Sequence, residues 1–531
     1  MKKSNIILLV ILVASLTIGL WMACQDVLML INKIVLDDSF YGFSIARSIA
    51  NGHGVTYNGI DQTNGFQPLW VLMIVPIFMI TSNIYLAVNL VLVLAAIINT
   101  LTVLLVYKFA QNVFGEKIAL IAIVLYGLNP FVMFQTLSGI DVVLFTFLVI
   151  VTIYFYNKIE HKFDKKNLCV LGVLIGMTML ARMDGLLLFA AIWLYMLWKN
   201  KKHPLIAIKH GFIIGIVALL VVLPWFAWSY TTFGTIVQSS AIARYNMGHG
   251  IFPYADLKAP KTLAQTASMV MENFVRAAGS ILNQLGIFNF GIDMLTIILF
   301  LFIVSTLMFS VKSLKRFTVP VIFVILLVLF YCLYMWGVQV RYMTPVIPMI
   351  TILISAGLVS MFKKHAWLVQ FILIVVLTII AFNGLQQWDR GYFAWSGELY
   401  KDALWIRENI APNESVGVFS SGIHTYFSNR RVVNLDGVLN FKAIKALEDR
   451  DIISYMKSEN ISVWVESVYF NHSVTNEYRK GRHIDIMKEN IWYDFLGPDK
   501  DNLILIEQRE GVYKHLRGYD MLVVFFKARV N

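Results

Sequence analysis

The chain has 531 residues, of which 58% are hydrophobic and 14% charged, and it carries a formal net charge of +12. Soluble domains have about 25% charged residues, so this composition excludes a soluble enzyme and marks a polytopic membrane protein. The basic excess does not imply nucleic acid, because the lysines cluster in short loops between apolar runs, at 158–166, 199–209, 312–316 and 363–364, which is the positive-inside pattern.

MKKSN followed by an apolar run reads as an uncleaved first span over 5–24. Trp21 stands where a lipobox ahead of Cys24 needs an aliphatic residue, and no A-x-A site follows. Cys24, Cys169 and Cys332 all lie in or beside apolar segments, so no disulfide framework is implied. Further apolar runs of spanning type lie near 84–107, 118–137, 141–156, 168–181, 185–198, 211–230, 291–311, 317–336, 342–361 and 366–384. The run at 69–81 is shorter and contains Pro76. If it does not cross, every lysine cluster falls on the side of Lys2 and Lys3; if it crosses, all fall opposite. The reading is therefore an interfacial or re-entrant helix at 69–81, eleven spans, and a cytoplasmic N-terminus. The segments 25–83, 138–141, 182–184, 231–290, 337–341 and everything after about 385 then face outward, and the inner loops are lysine-rich and chemically bland.

The first outer segment opens with two adjacent acids, Asp37 and Asp38. SFYGFSIARSIA reads as a helix ending at Asn51-Gly52, and either aspartate could cap it. A solvated loop and a general base for an acceptor hydroxyl are the other readings, and capping and catalysis are compatible. The apolar face holding Tyr41, Phe43, Ile45 and Ala46 suits the bilayer interface. Asp141 opens a later span, as a functional acid at the membrane boundary or as a residue favoured there by the helix dipole. Arg182 and Asp184 share a tight outer turn, where the arginine could grip a phosphate as a fork or simply pair with Asp184. Arg341, next to Tyr342, has the same ambiguity. His53, Arg244, His249 and Lys258 are polar outer-loop residues whose usual role is solvation. No ATP, nucleotide or zinc motif is present. An enzyme working outside has no cytosolic nucleotide-sugar supply, so an activated donor would arrive in the membrane as a lipid phosphate.

After Gln386 the composition becomes that of a soluble domain. SGELYKDALWIREN has helical spacing, and VGVFS, RRVVNLDGVLN, ISVWVES, NLILIEQ and MLVVFF are strand candidates. The division expected is a membrane domain over 1–384 and an extracytoplasmic α/β or α+β domain over 385–531, with a structural or acceptor-binding role.

The chain resembles bacterial GT-C-fold glycosyltransferases, relatives of the protein O-mannosyltransferases and the lipid-A aminoarabinose transferase. The carrying segments are DDSFYGFSIARSIANGHGVTYNGIDQTNGFQPLW (37–70), NPFVMFQTLSGIDVVLF (129–145), LARMDG (180–185), LPWFAWSYTTFGTIVQSSAIAR (223–244), RYMTPVIP (341–348) and VGVFSSGIHTYFSNRRVVNLDGVLN (416–440). The resemblance implies a GT-C-like bundle and an enzyme of the bacterial plasma membrane, acting on its outer face. It would move a hexose or pentose, with inversion, from a polyprenyl-phosphate donor to an envelope glycan, lipid or protein. It maps the general base to Asp37, with Asp38 beside it, and the second-loop acid to Asp141, where the family pattern leads one to expect a glutamate. The donor phosphate falls to Arg182 and Arg341, and turns holding His53 and Gln67 shape the wall of a sugar site. Asp37 and Asp141 could hold a divalent cation, although many relatives need none. Two other classes fit the same composition: a transporter or flippase of a lipid-linked glycan, for which paired interrupted repeats would speak, and a non-catalytic envelope protein with a sensing outer domain.

Overall fold

The computed structural model describes residues 3–160, 162–247, 262–286, 317–334, 337–391 and 396–466, together with the backbone of 248, 467–469, 504–514 and 520–529. The expected span at 291–311, and His249 and Lys258, lie outside the described residues.

Helices α1 (Lys3–Ala23), α2 (Val27–Lys33), α3 (Asp37–Ala50) and α4 (Pro68–Ile80) lead into α5 (Ile84–Phe114), α6 (Glu116–Gly127), α7 (Pro130–Thr136) and α8 (Val142–Ile159). Then come α9 (Lys165–Ala181), α10 (Gly185–Lys199), α11 (Pro204–Phe233), α12 (Ser239–Gly248), α13 (Leu263–Gln284) and α14 (Thr318–Cys332). A 3-10 turn, Val340–Val346, leads into α15 (Ile347–Met361) and α16 (Ala366–Arg390). Among the described residues six helices are long and apolar enough to cross a membrane, or seven if α6 and α7 form one broken span. Of the eleven expected, those at 168–181, 185–198 and 317–336 are helices of fewer than 18 residues.

Local chemistry sets several of these boundaries. Asn83 caps α5 by accepting from the Tyr85 and Leu86 N–H groups, and Gly115, at φ +93, ends it. The expected span 118–137 is instead bent by 64° between α6 and α7. Pro130 cannot continue the ladder of α6 and starts a new helix, which Asn129 caps through the Phe131 N–H. Gly172 and Gly176 put one face of α9 directly against α11. A Cβ at either would sit 2.6 Å from a valine of α11, so small residues at this spacing allow the close approach. At 13 residues, α4 is about 20 Å long, short of the roughly 30 Å of a bilayer core.

The tail folds as α17 (Ser396–Asn409), β1 (Ser415–Val418), α18 (Gly422–Phe427), β2 (Arg431–Asn434), α19 (Phe441–Glu448), α20 (Ile452–Ser458), β3 (Ile461–Tyr469), β4 (Ile504–Lys514) and β5 (Asp520–Arg529). Its strands form one sheet in the order β2-β1-β3-β5-β4. β1 pairs in parallel with β2 and β3, and β5 pairs antiparallel with β3 and β4. Each of the five strands overlaps one of the segments read as strand candidates.

The tail is pinned to the first loop across the expected boundary at 384/385. Arg47 donates to the Tyr426 carbonyl at 3.0 Å and lies 4.7 Å over its ring. Asn58 donates to the Val432 carbonyl at 2.9 Å, and Arg431 pairs with Asp61 at 3.2 Å. Phe40 packs on Tyr426 and Phe427 with centroids 5.3 and 5.2 Å away. The face of α3 expected at the bilayer interface is therefore covered: Phe43, Ile45 and Ala46 are fully buried. Aromatic side chains of α18 supply the apolar partner that lipid would otherwise have been.

Candidate active site

Asp37 and Asp38 both fall in the first turn of α3, but neither caps it. The N-cap position is Leu36, with no side-chain bond. The two carboxylates point to different neighbours. Asp37 is 5% exposed and turns to the tail, where its oxygens accept from the backbone N–H groups of Ile423, at 2.7 Å, and Gly422, at 3.3 Å. Burial pushes its carboxyl up to about 7, against the lowering effect of those amides. Asp38 faces a cavity of about 330 Å³ and accepts from Arg341 at 2.7 Å. Burial would raise Asp38, but Arg341 and Arg244 outweigh it and hold the carboxyl below its ordinary range.

Asp141 lines the same cavity because loop contacts bring the first two outer segments together. Ser39 Oγ donates to the Ser138 carbonyl at 2.6 Å and Trp70 Nε1 to the Gly139 carbonyl at 3.0 Å. Asp141 precedes α8 without a side-chain cap bond; its carboxylate accepts from Arg182 Nη1 at 2.9 Å instead. The same guanidinium donates through Nε to Asp184 at 3.1 Å and through Nη2 to the Tyr331 hydroxyl at 3.2 Å. Tyr331 in turn donates to Asp184 at 2.6 Å and stacks on Tyr342, 4.6 Å between centroids and 13° from parallel. Asp141, Arg182, Asp184 and Tyr331 thus form one bridged network on the cavity wall.

Gln67, Arg244 and Val438 complete the lining used here. The turn before α4 is fixed from two sides: Gln238 donates to the Phe66 carbonyl at 2.7 Å, and Asn64 accepts from the Ser239 N–H at 2.9 Å. Gly65 lies against the tail, where a Cβ would stand 2.0 Å from the Val438 carbonyl oxygen. Asp436 lies two residues earlier and accepts from the Val438 N–H at 2.9 Å; burial raises its carboxyl to about 6.

The cavity therefore gathers Asp38, Asp141, Asp184, Arg182, Arg341, Tyr342 and Gln67 from the sequence-derived candidates. It leaves out Asp37, buried behind the wall, and His53, exposed on a loop. Tyr331 and Asp436 went unrecognised in the sequence, the one inside an apolar run and the other in a turn that reads as a strand end. The cation considered for Asp37 and Asp141 does not fit, since one carboxylate is held by backbone amides and the other by a guanidinium. Among the described residues no three His, Cys, Asp or Glu side chains converge.

The bundle, with its broken span and docked tail, has a GT-C-like fold. Residues 68–228 match the dolichyl-phosphate-mannose-protein mannosyltransferase family, and residues 390–507 match a family described as a domain of unknown function. The fold is similar to that of ArnT from Cupriavidus metallidurans bound to undecaprenyl phosphate, with 12% identity, 97% of each chain covered and a TM-score of 0.55. It is also similar to the Archaeoglobus fulgidus oligosaccharyltransferase in the apo form, with 16% identity, 86% of this chain and 69% of that chain covered and a TM-score of 0.51. The same archaeal enzyme tethered with an acceptor peptide matches at 16% identity, over 100% of this chain and 74% of that chain, with a TM-score of 0.52. No curated protein matches the sequence.

Proposed function

We propose that this protein transfers one hexose or pentose from a polyprenyl-phosphate donor to an envelope glycan, lipid or protein on the outer face of the bacterial plasma membrane. The observation that carries this reading is the meeting of Arg182, Arg244 and Arg341 with Asp38 and Asp141 around one cavity. Guanidinium groups suit a phosphate leaving group, and a carboxylate suits the removal of a hydroxyl proton. At about 330 Å³ the cavity is at the small end of ligand sites, about 300–1,000 Å³, which suits a single sugar and its phosphate better than an oligosaccharide. An apolar groove of about 300 Å³, lined by Leu69, Leu72, Trp225 and Trp228, adjoins it at Phe66 and suits an isoprenoid chain. The similarity to ArnT bound to undecaprenyl phosphate supports the same donor lipid class.

Asp38 is the general base in this scheme. Arg341 keeps it ionised through one oxygen, and the other has no hydrogen-bond partner among the described residues. The acceptor hydroxyl loses its proton to Asp38 as its oxygen attacks the anomeric carbon. The carbon–oxygen bond to phosphate breaks, and polyprenyl phosphate leaves with the electron pair, its charge met by arginine. A single displacement inverts the anomeric centre. The resemblance gave the base role to Asp37; its absence from the cavity lining argues for Asp38, with Asp37 as the residue that positions it.

The test is turnover of a polyprenyl-phosphate sugar by purified protein. Asp38→Asn should lower kcat by about 10²–10⁴-fold and retain donor binding. Undiminished turnover would remove Asp38 as the base. Donor movement across vesicles with no transfer in the wild type would favour a flippase.

A further inference from the structure

The amphipathic character of α13 is inverted. The face of Asn273, Ala277, Ser280, Asn283 and Gln284 packs inward, while Met271 and Phe274 are 64% and 48% exposed. A helix between core and water has the opposite pattern. The inward amides hold backbone carbonyls beside the cavity: Asn273 donates to Cys332 and Tyr334 at 3.2 and 3.0 Å, and Gln284 to Val340 at 2.7 Å.

The C-terminal end of α13 lies deep in the bundle. The Gln284 carbonyl accepts from the Asn129 amide at 2.8 Å, and the Gly286 carbonyl from the Asn383 amide at 3.0 Å. Asn129 sits at the break after α6, and Asn383 well along α16. At 1.5 Å per residue they are roughly 20–25 Å from Glu116 and Ala366, the N-terminal ends of those helices, the second of which follows the basic pair at 363–364. That depth is inside a hydrocarbon core about 30 Å thick, where no water can satisfy the last carbonyls of a helix. The two asparagines do so instead. From Ala277 to Gly286 there is no charged residue, and the exposed Glu272–Arg276 pair lies just before this stretch. The adjacent α14 also exposes an apolar residue, Leu329 at 53%, and Leu333 just after it is 63% exposed.

We propose that α13 enters the bilayer from the cavity side and ends within it, with lipid acyl chains as the partner of its apolar face. The 231–290 segment, expected as an outer loop, then includes a membrane-inserted helix whose Asn273 and Gln284 hold the backbone at Tyr334 and Val340, beside the cavity. This placement does not depend on the proposed reaction.

Gly279 offers the probe site, since it is exposed and a Cβ there would meet nothing within 4 Å. Ser268 is exposed nearer the start of the helix. Nitroxide labels are placed on Gly279→Cys and Ser268→Cys in full-length protein lacking the exposed Cys24 and Cys169, in phosphatidylcholine–phosphatidylglycerol vesicles. The label at 279 should be relaxed severalfold more by oxygen than by an aqueous nickel chelate, and the label at 268 the reverse. Nickel access at 279 would place the helix in water; shielding from both reagents would place a protein partner or a second copy there. Either result overturns the proposal. Benzophenone photocrosslinking from position 279, with all native cysteines kept, is the second measurement: crosslinks to lipid support the placement, and crosslinks to protein overturn it.

Discussion

Asp37 and Ile423 are joined by a 2.7 Å hydrogen bond from a backbone N–H to a buried carboxylate, across 386 residues of sequence. Because burial raises the carboxyl to about 7, from about 3.9 in an unfolded chain, the folded protein holds a proton that the unfolded chain has already lost. This contribution is fully present below about pH 4 and falls as pH rises toward 7. Thermal unfolding in detergent at pH 5 and pH 8 should therefore show the wild type losing more stability on the alkaline side than Asp37→Asn. Equal losses would refute the linkage.

Asp38 behaves oppositely. Arg341 and Arg244 outweigh its burial and hold it low, so the base stays ionised and the acid limb of the rate profile should lie below the range of an ordinary carboxylate. Arg341→Gln removes one of those charges and lets burial count for more, which raises Asp38. The acid limb of the kcat/KM profile should move up in pH; an unchanged limb would mean that Asp38 does not control it.

Arg182 reaches Asp141, Asp184 and the Tyr331 hydroxyl with three nitrogens. Lysine has one nitrogen on a flexible stem and cannot reproduce the fork. Arg182→Lys should cost about 10-fold or more in kcat/KM, since hydrogen bonds involving charged groups are worth about 1.5–3 kcal/mol. Tyr331→Phe should show a smaller loss in the same assay. A fully active Arg182→Lys enzyme would reduce the network to scaffolding.

Gly65 leaves no room for a side chain: a Cβ would sit 2.0 Å from the Val438 oxygen. Gly65→Ala should destabilise the protein by about 1–3 kcal/mol and expose the 416–440 segment to limited proteolysis. A melting temperature and cleavage pattern like those of the wild type would show that the loop and tail yield without cost.

Much of this arrangement is legible in the residues. Charge placement and run length mark the bundle, helical spacing over SGELYKDALWIREN marks α17, and paired acids mark the site. What is not legible follows from contacts made at long range. Nothing local says that Asp37 turns away from the cavity and Asp38 toward it, because that depends on where the amides of Gly422 and Ile423 arrive. Tyr331 looks like any aromatic residue in an apolar run until Arg182 meets it. The inverted polarity of α13 has no meaning until its polar side is seen inside the bundle.

The joint between Gly65 and Val438 also orders events in time. The ribosome releases the two acids of α3 early and the 416–440 segment near the end, so a partly made chain holds Asp38 in place with one wall of its pocket missing. The cavity is walled on that side only once Val438 is in position. A nascent or truncated product that stops short of it would carry both acids and lack that wall.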